Sequence, residues 1–543
     1  MNVFTSEVET TDVAIVRGTI VGLGDGYTAE TTVDLDGAYL VPGWIDAHVH
    51  IESSMVTPAE FARAVVPRGT TTVVVDPHEI ANVHGLEGVD YMLAASAGIP
   101  LDVQVQIPSC VPATPMGTAG AELSADDLAT FIGRERVLGL AEVMNFPGVI
   151  HGDPGVHAKI TAFEGHPIDG HAPGVRARAL NAYVAGGPRS DHECTAPDEA
   201  TEKLRRGLWV FFREATNARN LDALLPALTA GTAHRICLCT DDRQPADLLD
   251  EGGIDAMLRR IVAAGVDALT AIRLATLNPA TCFGLTDRGA IAPGRRADLC
   301  VLDDLSEFRP RAVYTSGELA AEDGRLVAAL PARTAPPAPR VRVELDEARL
   351  RIEVGGARHR VIRAIPDQLI TSHEIWSPTA REGAAVADPD RDLAKLAVAE
   401  RHGRTGGVGL GFVTGLGLRR GALAGTVAHD HHNLIMAGVD DRSMVTAARA
   451  VAAAGGGLAV ALHDEVVAEL PLPVGGLMSE ARIDDVRAEF DALLEAARAL
   501  GCAVHDPFMA LSFLALEVIP SLKLTDQGLV DVDAFAPVPL WVG

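Results

Sequence analysis

This chain contains no Cys-x-x-Cys pair, no Gly-x-x-x-x-Gly-Lys-Ser/Thr loop and no Gly-x-Gly-x-x-Gly turn. Its seven cysteines, at 110, 194, 237, 239, 282, 300 and 502, are odd in number and scattered. That excludes a disulfide framework and points to reduced thiols in a cytosol. The two missing glycine motifs leave phosphate and dinucleotide binding without support. An apolar run of membrane-spanning length is also absent, as is a charged-then-apolar leader, so a soluble cytoplasmic protein with no membrane partner is expected. Positive charge is scarce. Lys and Arg number 46 against 73 Asp and Glu, a formal net charge of −27, which argues against a nucleic-acid partner.

What is present is a chain of 543 residues, 48% hydrophobic, long enough for several domains and a large core. Residues 1–40 alternate apolar runs with Gly and Asp turns, in Asp12–Val16, Gly18–Gly22 and Thr31–Gly37, and read as short antiparallel strands. A similar piece returns at 289–303 and 310–314. Together, 1–40 and 289–330 predict one composite β-sandwich domain around an inserted unit. Residues 330–340 are a proline-rich linker. Beyond it, 341–543 predicts an α+β domain that opens with strands at 341–345 and 350–354 and carries helices at 443–454 and 483–500.

The inserted unit, 41–288, alternates strand and helix signals. Its first strand runs from Tyr39 through Val49 and is closed by His48 and His50. Thr57, Pro58 and Glu60 read as a helix cap, a first helical residue and a reciprocal cap. Further strands are predicted at 69–79, 101–110, 137–145, 167–171, up to 190–193, 208–215 and 235–242. Eight alternations predict an α/β fold, a (β/α)8 TIM-like barrel, whose chemistry sits at the C-terminal strand ends.

Strand side chains alternate faces, so His48 and His50 can reach one point. A lone His-x-His is weak evidence for a metal. The other strand ends add Glu142, His171, His192 and Asp241, with His78 and Glu79 closing strand two. Each alone has a structural alternative: Glu142, Asp241 or Asp242 as helix caps, His171 as a turn residue. Four imidazoles and two carboxylates at one barrel end predict a binuclear metal site. Two adjacent cations repel, so an anion must lie between them, and Glu142 is the natural bridge. A bound cation lowers the pKa of water from ~16 to roughly 7. Asp241 can then bind a metal through one oxygen and carry a proton on the other.

Pro42-Gly-x-Ile-Asp-x-His48-x-His50, the histidines of strands five and six, Asp241 and the return at 278–298 resemble the amidohydrolase superfamily. Many of its binuclear members bridge the metals with a carboxylated lysine; no lysine lies within 137–145, where Glu142 stands. Narrower motifs, at 48–54, 76–83, 140–145, 169–173, 190–193, 240–242, 421–433, 471–479 and 520–526, resemble the adenine deaminases. The resemblance covers nearly the whole chain. It implies attack of a metal-bound hydroxide on C6 of adenine to give hypoxanthine and ammonia. It also implies two divalent ions, Mn²⁺ or Fe²⁺ with Zn²⁺ as a further option, held by His48, His50, Glu142, His171, His192 and Asp241. The family's β domain normally begins before the point matching Met1, so a missing first strand is expected. A homodimer is expected from the family. The alternatives are another amidohydrolase acting on a cyclic amide or a different nitrogen heterocycle, and a non-catalytic scaffold, whose sign would be lost ligands. The Cys-x-x-Cys half of the single-zinc base-deaminase signature is missing.

Glu79 and His78 are candidates to contact the purine or move a proton. Glu193 is a candidate to orient His192 or contact substrate, and Ser109 to line the pocket. His429 and His431, in His429-Asp-His-His-Asn433, either close over the barrel mouth and bind the base or belong to a solvated loop.

Overall fold

In the computed structural model, which describes residues 1–366 and 368–542, β1 (Val13–Val16) and β2 (Thr19–Leu23) form an antiparallel hairpin. The stretch 31–37, expected as a strand, has none and is largely exposed. The expected strand from Tyr39 to Val49 is in fact two. β3 (Tyr39–Pro42) pairs antiparallel with Leu299–Leu302, whereas β4 (Trp44–Val49) pairs in parallel with Thr70–Val75. The break falls at Gly43, whose amide donates to Asp298 O while that of Trp44 donates to Gly69 O. A Cβ at 43 would stand 2.3 Å from the Thr71 hydroxyl, so glycine is needed there.

From β4 the chain winds through β5 (Thr70–Val75), β6 (Asp102–Ile107), β7 (Val137–Val143), β8 (Ile168–Gly170), β9 (Ser190–Asp191), β10 (Trp209–Arg213) and β11 (Ile236–Cys239). β4 to β8 form one parallel run and β9 to β11 another. Arg189 N donates to Ile168 O across the seam between them at 3.0 Å. A parallel bridge between Val49 and Asp241 joins the last strand to the first. This is a (β/α)8 barrel. β5 reads Thr-Thr-Thr-Val-Val-Val and is buried at every residue, as expected for parallel strands covered on both faces. Ile45, Ala47, Val74, Trp209, Phe211, Cys237 and Cys239 form one apolar cluster. Phe211 and Cys239 share the parity of Arg213 and Asp241, so this cluster fills the barrel beneath the polar strand ends.

β12 (Leu299–Leu302), β13 (Pro310–Thr315), β14 (Glu318–Glu322) and β15 (Arg325–Leu326) extend from β3 as a five-stranded sheet. The following region holds a nine-stranded sheet and the helices Asp441–Ala453 and Ile483–Ala499. The strand expected at 341–345 is absent, and only Ile352–Glu353 forms near 350–354. Two caps also differ. α1 (Pro58–Val65) does begin after Thr57, but Thr57 makes no side-chain cap bond. Glu60 instead turns to Arg63 and to the backbone of Ile483, 3.4 Å away, and so ties the barrel to the last long helix. His78 and Glu79, expected to end a strand, open α2 (His78–His84).

α2 packs against the C-terminal region, and His84 in its last turn is buried with neither ring nitrogen hydrogen-bonded. Burial, then the charges of Arg340 and Arg401, push its pKa down to about 4. The unfolded ring takes a proton near pH 6.5 and the native ring does not. Stability from the neutral ring is therefore present above pH 6.5 and drains away between 6.5 and about 4. Melting temperatures should consequently fall less from pH 7 to pH 4.5 in His84→Leu than in wild type. Equal falls would remove His84 as a source of acid sensitivity.

Candidate metal centre

The predicted ligand residues all lie at the C-terminal ends of barrel strands. His48 is on β4 and His50 just past it, Glu142 is on β7, His171 and His192 each follow their strand directly, and Asp241 lies two residues beyond β11. All six are buried. His48 Nδ1 sits 3.2 Å from Asp169 Oδ2, and His50 Nδ1 2.8 Å from the carbonyl of Asp76. With those outer nitrogens donating, the Nε2 atoms carry the lone pairs. They face each other at 3.1 Å.

Glu142 lies between two groups. Its Oε1 is 3.4 Å from His50 Nε2, 3.7 Å from His48 Nε2 and 3.6 Å from His78 Nδ1. Its Oε2 is 2.9 Å from His171 Nδ1 and 3.4 Å from His192 Nε2. Burial opposes ionisation of Glu142, but hydrogen bonds from His171, His192, His48 and His50, when those rings are protonated, outweigh it and hold the carboxyl well below the usual range. Asp241 behaves alike, with His50 and Arg213 overcoming burial. Its Oδ1 is 3.2 Å from His50 Nε2. Asp241 also adopts a left-handed backbone, φ 56°, unusual outside glycine. Its amide donates to His48 O at 2.9 Å, which pins that geometry.

Three of the resulting donor sets, His50–Asp76–His78–Glu142, His48–His192–Asp241 and Glu142–His171–His192, each bring their ligand atoms within 4.8 Å of one another. Opposed imidazole lone pairs and carboxylates without water are the donor chemistry that a divalent cation satisfies. His171 Nδ1 and His192 Nε2 are the nitrogens that face the cluster; the other nitrogen of each ring is buried without a partner among the described residues. The residues present therefore fit divalent metal.

The candidate substrate residues divide. Glu79 Oε1 is 2.9 Å from His429 Nε2 and 3.1 Å from Ser53 Oγ, and Ser53 donates to Asp242 Oδ1 at 2.5 Å. His429 is held by Ser512 Oγ at 2.6 Å and stacks on Phe513, centroids 4.6 Å apart. The C-terminal region thus reaches into the barrel mouth. Asp430 follows, 3.7 Å from His78 Nε2. Glu193 Oε1 lies 3.6 Å from His171 Nδ1 and 3.5 Å from His192 Nε2. Ser109 Oγ is occupied by the carbonyl of Glu142 at 2.5 Å. His431 is turned away from the metal-ligand group, toward Thr114 O at 3.3 Å and Glu517 at 3.5 Å. Arg401, buried, donates to the carbonyls of His432 and Gly475 and fixes this loop.

Sequence reasoning missed Arg213, Asp76, Asp169, Ser53, Asp430 and Ser512. The signal for Arg213 was there, because strand seven was the one strand with no polar end residue assigned. The others are recognisable only from what they touch.

The amidohydrolase family model matches residues 39–320, and that of the adenine deaminase C-terminal domain matches 368–536. An adenine deaminase of Desulfatibacillum aliphaticivorans is 50% identical over 548 residues, 100% of this chain and 95% of the relative. The chain belongs to the adenine deaminase family. Two further adenine deaminases agree. The one from Oleidesulfovibrio alaskensis is 50% identical, over 100% of this chain and 95% of its own. Adenine deaminase 2 of Carboxydothermus hydrogenoformans is 48% identical, over 99% and 95%. The α/β barrel with β-rich additions is the architecture of the amidohydrolase family, and divalent metal binding agrees with both family and geometry.

A cation bound only by the native cluster stabilises it by mass action, about 2.7 kcal/mol at one hundred times Kd. Chelator-treated protein should melt several degrees below protein reloaded with Mn²⁺. Identical melting curves would mean that the cluster holds no metal.

Proposed function

We propose that this chain hydrolyses adenine to hypoxanthine and ammonia, in purine salvage or adenine catabolism. The observation that carries the reading is identity of about half the residues to adenine deaminases over the full chain. The polar groups at the barrel mouth supply chemistry that suits it. No observation favours a cyclic amidase, and a scaffold would have lost ligands that are all present. The buried free cysteines suit a reducing cytoplasm.

We assign the ligands as His48, His50, Glu142, His171, His192 and Asp241, holding two ions, with Mn²⁺ or Fe²⁺ preferred over Zn²⁺. Such ions supply Lewis acidity that brings the pKa of water from ~16 to roughly 7. Glu142, with one oxygen toward each histidine group, would supply the negative charge that two neighbouring cations need between them. Deamination adds the oxygen of water to C6 and moves its two protons, one to the departing amino group and one to a ring nitrogen. Asp241 is assigned the first transfer: Oδ1, 3.2 Å from His50 Nε2, is the oxygen that would meet a cation, and Oδ2, oriented by Arg213, is the one left to carry the proton. Glu79 is assigned the second, steadied by His429, and His78 and Glu193 are assigned to the purine and to ligand orientation. The surrounding side chains are nearly all buried, which excludes competing water.

We also propose three structural units: 1–40 with 289–330, 41–288 and 341–543. The first junction is better drawn at Gly43, since β3 runs through Pro42.

Ammonia release from adenine should be metal-dependent, abolished by chelation and restored by Mn²⁺, with adenosine, guanine and dihydroorotate inert. Turnover of dihydroorotate but not adenine would transfer the protein to the cyclic amidases. Glu142→Gln should weaken metal retention. Asp241→Asn should lower kcat about 10²- to 10⁴-fold while some metal stays bound. Full activity in either variant would overturn the corresponding role.

A further inference from the structure

Arg213 is the last residue of β10 and is buried. Its Nη1 donates to Asp241 Oδ2 at 2.8 Å and also to Glu193 Oε1; Nη2 donates to Glu193 Oε2 at 2.9 Å and to Asn220 Oδ1 at 3.4 Å. One planar guanidinium therefore spans the ends of three successive strands, β9, β10 and β11. Through Glu193 it touches the His171 and His192 side of the cluster. Through Asp241 it touches the His48 and His50 side.

We propose that Arg213 is a positioning residue of this site: it seizes Oδ2 of Asp241 so that Oδ1 alone faces the histidines, and with Glu193 it locks the two halves of the cluster in register. The inference rests on the metal-centre reading above. Three observations favour it over an ordinary ion pair. Asp241 sits in a left-handed backbone conformation pinned by its amide bond to His48 O, and Arg213 fixes the direction of the carboxylate carried on it. Among the described residues no other group donates to Asp241 Oδ2. The fork also takes both oxygens of Glu193 with two nitrogens while reaching Asp241, a planar bidentate geometry that guanidinium provides and ammonium does not. Glu142 thus couples the two histidine groups from within, and Arg213 couples them from the side.

The consequence is specific to shape. Arg213→Lys keeps the charge but loses the fork, so it should behave like Arg213→Ala. Each should weaken Mn²⁺ retention or lower kcat about 10- to 100-fold, the range found when groups supporting metal ligands are changed. KM for adenine should move far less than kcat, since the Nη donors of Arg213 are taken up by Asp241, Glu193 and Asn220. Glu193→Gln, which keeps the volume, should shift the same quantities in the same direction by less.

The test is chelator competition for Mn²⁺, with kcat and KM for adenine, on the full-length wild type and the three variants, alongside their melting curves. Losses in Mn²⁺ affinity or kcat while the protein remains folded support the proposal. Wild-type values in Arg213→Lys, or losses that merely follow the unfolded fraction, overturn it. Wild-type protein that holds no Mn²⁺ would sink the metal-centre reading itself. Wild type that holds Mn²⁺ as tightly as every variant, with equal kcat, would sink only the role of Arg213.

Discussion

Charge balance in a dry barrel mouth is the constraint that organises this molecule. Six ionisable side chains from five strand ends sit together with almost no access to water. Such groups are costly to bury unless each meets an opposite charge or a hydrogen-bond partner. Glu142 meets the imidazoles on both its sides. Asp241 meets His50 on one oxygen and Arg213 on the other. The outer nitrogens of His48 and His50 are anchored on Asp169 and the Asp76 carbonyl. The Nε2 atoms of His48 and His50 are left facing each other at 3.1 Å, an arrangement that suits a shared cation.

The same constraint explains why the shell around the cluster is polar and crowded. Lys203, fully buried, donates to Asp191, Glu199 and the carbonyl of Ala172. It thereby fixes the residue before His192 and the residue after His171. Asp46 takes the hydroxyl and amide of Thr240, next to Asp241. These groups touch nothing that reacts, yet they set the direction of side chains that do.

The C-terminal region is part of the site as well. His429 and Asp430 come from a loop between two strands of the nine-stranded sheet and meet Glu79 and His78 at the barrel mouth. Arg401 holds that loop through backbone carbonyls, and Asn433 bonds the Thr118 carbonyl at 2.9 Å. The closing of the mouth is therefore shared between two regions far apart in the chain, which explains why family likeness extends through both.

Local pattern determined a great deal by itself. Six β-branched or apolar runs at strand length, each followed by polar residues, are the signature of buried parallel strands; with the two shorter stretches at 167–171 and up to 190–193 they form the eight strands. His48, His50, Glu142, His171, His192 and Asp241 were legible because barrel topology places every strand end on one rim. Helix Ile483–Ala499 was legible from its period. Tertiary structure decided the rest, because partners distant in sequence leave no local trace. One apolar run breaks at Gly43 into strands of two sheets because the amides of Gly43 and Trp44 meet different partners, Asp298 and Gly69. Val341 to Leu345 has strand composition but no partner strand, so it stays irregular. His431 shares a motif with His429 yet turns away, since Thr114 and Glu517 stand on its other side. Arg213 reads as an ordinary strand end until Glu193 and Asp241 close upon it. Periodicity encodes which face a residue occupies; only the folded chain decides which charge it meets there.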